Sequence, residues 1–106
     1  MRTKASDYHK VDNVYTCAIG MSVWRFFNVG KYKHVQVKKI CYYNPTYITW
    51  CLSNWNGFKL TAYERFEYIK GLKRQLERNP NDNGLIRQIK VQEVLYNRAV
   101  KTGNHY

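Results

Sequence analysis

Basic side chains interleaved with aromatic ones are the groups here whose type and spacing could do chemistry. Between residues 24 and 39 the chain carries Trp24, Arg25, Phe26 and Phe27, then Lys31, Tyr32 and Lys33, then Lys38 and Lys39. Such a stretch suits a polyanion, because cations displace the counterions condensed on phosphate and planar rings stack on bases. No Asp or Glu occurs from Asn13 to Tyr63, a span that holds Arg25, Lys31, Lys33, Lys38, Lys39 and Lys59. Lys31, Lys33, Lys38 and Lys39 are therefore the expected phosphate contacts, with Arg25 and Lys59 as lesser ones. Trp24 and Phe26 are the expected stacking platforms. Eighteen Lys and Arg against seven Asp and Glu leave +11 over the 106 residues. That excess raises self-repulsion and adds nothing to a core, so DNA or RNA is the expected partner.

Catalysis is not expected. Metal-assisted phosphodiester hydrolysis needs several carboxylates converging on cations, and the acids here are scattered, five of the seven lying after Tyr63. Glu64 and Glu67 fit structural roles, the first as a helix cap and the second as a partner for Lys70. No G-x-S-x-G, H-E-x-x-H or Walker glycine loop is present. Cys17, Cys41 and Cys51 are an odd number at spacings that fit neither a disulfide framework nor a C-x-x-C pair, which points to a reducing cytoplasm. A metal site would require tertiary folding to gather these thiols with His9, His34 and His105; no metal and no cofactor is expected.

The elements that must position the basic stretch follow from periodicity. Val23 to Val29 is rich in β-formers, and Val35 and Val37 alternate with Gln36 and Lys38, so the two runs read as a hairpin around Gly30-Lys31-Tyr32-Lys33. Its parity turns Val23, Phe27 and Val29 toward the core and Trp24, Phe26 and Asn28 away from it. Val14 to Ile19 can add a third strand. Asn44-Pro45 starts a helix running to about Asn54, with Tyr47, Ile48, Cys51, Leu52 and Trp55 as its apolar stripe, and Tyr47 and Trp50 are assigned to the core. Thr61-Ala62-Tyr63-Glu64 fits a capping box that opens a long helix with Phe66, Ile69, Leu72 and Leu76 on one side. The turn Asn79 to Gly84 leads to a last helix, Leu85 to about Lys101, using Ile86, Ile89, Val94, Leu95 and Ala99. The expected class is α+β, an N-terminal β-hairpin followed by three α-helices. Residues 1–12 form a flexible arm and 13–106 a single domain.

The segment Phe26-Phe27-Asn28-Val29-Gly30-Lys31-Tyr32-Lys33, then Val37 and Ile40, then Asn44-Pro45-Thr46-Tyr47-Ile48-Thr49-Trp50 resembles the C-terminal domain family of exodeoxyribonuclease X-like enzymes, which also occurs as small free-standing bacterial and phage proteins. The likeness spans roughly residues 24–61, with Gly57-Phe58-Lys59-Leu60-Thr61 resembling the continuation in longer members. Residues 62–102 form a helical extension beyond the likeness. His34 stands where the family has a second turn glycine, and Asn44 replaces its acidic cap. The resemblance implies an accessory domain for binding DNA or RNA, with catalysis carried on a different domain.

The expected function is therefore non-catalytic nucleic-acid binding through a basic hairpin, with weak sequence specificity. The alternative is a bacterial or phage protein-interaction factor, an inhibitor or a virion-associated protein whose basic face meets an acidic partner. No apolar run approaches the roughly eighteen residues that a membrane span requires, so no membrane partner is expected. The expected location is the bacterial cytoplasm, or the virion if the protein belongs to a phage.

Overall fold

A computed structural model describes residues 13–103; the arm expected over residues 1–12 lies outside them. Two strands, β1 (Val14–Ile19) and β2 (Ser22–Phe27), pair antiparallel across the two-residue turn Gly20-Met21, in a register that sets Val14 opposite Phe27 and Cys17 opposite Trp24. Gly20 has φ +63°, the left-handed conformation that a two-residue hairpin turn demands and that glycine adopts without steric cost. Four helices follow: α1 (Val37–Tyr43), α2 (Pro45–Asn54), α3 (Ala62–Arg78) and α4 (Asn83–Thr102).

The α+β class is thus as expected, but the hairpin is not the expected one. The strand foreseen over Val35 to Lys38 shrinks to a single bridge between Phe26 and Gln36, and Val37 instead opens α1, a helix additional to the three expected. The alternation Val35, Val37 is too short to separate the two periods, whereas Val37, Ile40 and Cys41 recur at helical spacing and are buried together. No end signal announces α1: Gln36 makes no side-chain cap bond and no acid lies in the first turn. Seven residues cannot sustain a helix alone, so α1 exists because it packs closely on α3. The turn Gly30 to His34 consequently connects β2 to α1 rather than forming the hairpin tip. The tip itself is uncharged, and Arg25 is the one cation on the two strands.

The helix ends otherwise follow their sequence signals. The Asn44 side chain accepts from the Tyr47 amide, with Pro45 at the first helical position. The Thr61–Glu64 capping box is complete, each side chain accepting from the other residue's amide. Asp82 caps α4, and Gly103 closes it in the left-handed conformation.

Phe27, fully buried, is the centre of the core, ringed by Tyr32, Tyr47, Trp55 and Phe58 with ring centroids 5.7 to 6.4 Å away. Ile48, Cys51, Leu60, Tyr68 and Leu72 complete it. Several expected core residues lie outside. Val23 and Val29 are exposed, Val29 lying beyond the end of β2. Trp50 is 49% exposed and rests flat on Tyr47. Phe66 and Val94 are exposed, because α3 turns Tyr68, Ile69, Gly71 and Leu72 inward and α4 buries only Ile89 and Gln92.

Gly71 explains how α1 approaches α3 so closely. A Cβ there would stand 2.7 Å from the carbonyl oxygens of both Cys41 and Tyr42. Alanine favours an isolated helix over glycine by about 1 kcal/mol, yet Gly71→Ala should destabilise the fold by roughly 1–3 kcal/mol because backbone must move. Urea denaturation is the check.

Burial also pushes the Cys51 thiol up from 9.0 to about 12, and it raises Cys41 and Tyr68 above their ordinary values. A folded-state pKa raised in this way contributes stability that is full below the ordinary value and lost as pH rises through the folded one. The melting temperature should therefore hold from neutral pH to about 9 and fall above it, as thermal melts in alkaline buffers will register.

Candidate functional site

Strand parity builds the site. Because Phe27 points into the core, Arg25 also faces the helical layer, while Trp24 and Phe26 lie on the opposite sheet face with their register partners Cys17 and Tyr15. The Phe26 ring stacks on Tyr15 at 5.4 Å between centroids and an interplanar angle of 17°. His34 meets Tyr15 edge-on, with 3.0 Å between its Nδ1 and the Tyr15 hydroxyl oxygen. The bridge from Phe26 to Gln36 brings the start of α1 alongside β2. Lys38 thereby places its Nζ 4.4 Å from the centre of the Trp24 ring, a cation–π geometry. Trp24, Phe26 and Tyr15 are all partly open to solvent.

On the inner face Arg25 is committed to the fold. Its Nε donates to Glu64 Oε2 at 2.9 Å, and its Nη2 donates to Glu64 Oε1 at 2.7 Å and to the Lys59 carbonyl at 2.5 Å. Glu64 Oε1 also accepts the Thr61 amide. The two charged side chains are 18% and 5% exposed, so this cation is neutralised where it sits. Between β2, α1 and the first turn of α3 opens a cleft of about 140 Å³, lined by Val23, Trp24, Arg25, Lys38, Thr61, Tyr63 and Glu64.

The expected site residues are therefore divided. Trp24, Arg25 and Lys38 meet at the cleft, and Lys59 contributes its carbonyl beside it while its side chain is exposed. Lys31 sits apart, its Nζ 5.2 Å from the Tyr32 ring and 5.9 Å from Tyr47. Lys33 and Lys39 are exposed. No carboxylate among the described residues lies within 4 Å of Lys31, Lys33, Lys38, Lys39 or Lys59. Two acids of α3 and α4 pair instead with lysines of α3, Glu67 with Lys70 and Glu93 with Lys73. Arg74 lies over Tyr42 and Tyr43 at the C-terminal end of α1.

Sequence reasoning missed Tyr15, Tyr63 and the second duty of Glu64. Tyr63 was legible only as an aromatic residue on the polar side of a capping box, and it is 74% exposed. Tyr15 depended on the strand pairing, which spacing alone did not identify. Among the described residues no group of three or more His, Cys, Asp or Glu could hold a metal ion, and no helix is long and apolar enough to cross a membrane; His9 and His105 lie outside these residues.

Comparison with family models, with curated proteins and with solved structures yields no match.

Cys17 is exposed, opposite Trp24, whereas Cys41 and Cys51 are buried. A thiol-specific reagent should therefore label one cysteine rapidly in the native protein and the other two only after unfolding. Peptide mapping of the labelled chain will show whether the fast one is Cys17.

Proposed function

We propose that this protein is a non-catalytic nucleic-acid-binding domain that contacts phosphate through the lysines of residues 31–39 and reads sequence weakly. The observation that carries the proposal is the Lys38 ammonium held over the half-open Trp24 ring, with no carboxylate in reach among the described residues. Cation and ring together are what a phosphate followed by a base requires. The stacked Tyr15 and Phe26 extend the same sheet face. The basic surface belongs to the β2–α1 connection and the first turn of α1, not to the hairpin tip. Arg25 acts by fixing β2 to α3 rather than by meeting the ligand's charge. Nothing in this arrangement aims a helix at a groove, which is why affinity comes from backbone contacts and depends steeply on salt. The resemblance of residues 24–61 to the exodeoxyribonuclease X-like C-terminal domain points the same way, to an accessory binding module.

Fluorescence anisotropy with labelled oligonucleotides, from about 50 to 300 mM salt, tests this. Log affinity should fall linearly with log salt, and Lys38→Ala should reduce the slope by about 0.7–0.9, the increment for one phosphate. Lys33→Ala and Lys39→Ala should each act similarly, whereas Lys73→Ala should leave the slope unchanged because Lys73 is paired with Glu93. A response independent of salt would remove the phosphate mechanism and favour an acidic protein partner.

A further inference from the structure

The cleft beside Trp24 has a size and a set of donors that phosphate binding does not use. Its volume is about 140 Å³. A cavity of roughly 150 Å³ in another protein holds one benzene ring, so the space matches a single six-membered ring more closely than a fused pair. Trp24 and Tyr63 supply aromatic surface, and Val23 adds an aliphatic side chain.

The polar groups at the cleft have donors to spare. Arg25 uses Nε and Nη2 on Glu64 and Lys59, and among the described residues no acceptor engages its Nη1. Thr61 Oγ1 accepts the Glu64 amide, and its hydroxyl proton has no acceptor there. Glu64, the one carboxylate among the described residues that line the cleft, already receives three N–H donors, from the Thr61 amide and from Nε and Nη2 of Arg25. The missing partner is a planar ring rich in acceptors, attached to an anion that Lys38 can meet.

We propose that the cleft takes one unstacked pyrimidine base bearing two carbonyl groups, thymine or uracil, with its adjoining phosphate on Lys38. The domain therefore prefers single-stranded nucleic acid. In a duplex the base is paired and stacked, and it enters such a pocket only by leaving the stack. Cytosine turns a donor amine where thymine and uracil have an acceptor, and a purine is larger than the single ring the cleft matches. This inference rests on the nucleic-acid reading above, and Tyr63 separates the two, because it lines the cleft but has no part in the phosphate contacts.

The test measures binding of an oligothymidylate of about twelve nucleotides, the matching oligoadenylate and a duplex of equal length, at one low salt concentration. The wild-type protein should bind the oligothymidylate several-fold more tightly than the other two. Tyr63→Ala should weaken oligothymidylate binding by about tenfold, the usual scale for loss of one base–aromatic stack, and leave duplex binding within twofold. Tyr63→Phe, which keeps the ring, should behave as wild type. Tyr63 is exposed, and unchanged thermal melts will show that both variants fold. Salt-dependent binding that is equal for all three ligands, or equally altered on all three by Tyr63→Ala, overturns the cleft and leaves the phosphate surface standing. Binding to none of the three overturns both.

Discussion

A bidentate contact between Arg25 and Glu64 joins the hairpin to the helices, and much of the molecule depends on it. Two strands alone are marginal in water, and this pair is tied to the helices by the Phe27 ring, with Val14 packed against the same core, and by the Arg25 guanidinium. Glu64 is nearly buried, so its charge is tolerable only because three N–H groups point at it. The same carboxylate closes the capping box that starts α3. One acid thus sets where the helix that supplies Tyr68 and Leu72 to the core begins, which way β2 faces it, and what lies at the back of the cleft between them.

That arrangement has a consequence for charge. The anion-poor half of the chain borrows its one structural carboxylate from α3 and spends it on Arg25. Two other acids of α3 and α4, Glu67 and Glu93, are engaged by Lys70 and Lys73. The lysines of residues 31–39 are left to solvent and to aromatic rings, Lys31 over Tyr32 and Lys38 over Trp24. Rings attract cations without neutralising them, so the surface keeps its field while its side chains are held in place. Such a surface is prepared for an anion and carries a self-repulsion that an anionic partner relieves.

Residues whose meaning is local were legible in the chain. Asn44-Pro45 and Thr61 with Glu64 mark helix starts by chemistry that operates within four residues. Trp24 and Lys38 were recognisable as candidates by type. Their contact was not, because it depends on Gln36 bridging to Phe26 and on Val37 turning into a helix instead of continuing a strand. Trp50 and Phe66 show the same limit from the other side: each falls on an apolar period, yet which part of a helix is covered depends on what packs against it.

By itself the sequence determined the α+β class, the long capped helices, the concentration of cations between residues 25 and 59, and the outward parity of Trp24 and Phe26 relative to Phe27. These follow from turn chemistry, capping and side-chain periodicity, all short-range. Tertiary structure decided which strands pair, that α1 exists, that Arg25 is an internal tie, and that Tyr63 and Thr61 close a cleft with Trp24. Each of these joins residues far apart in the chain. The energies that select them, the close approach allowed at Gly71, the desolvated ion pair and the packing around Phe27, arise only when distant segments meet.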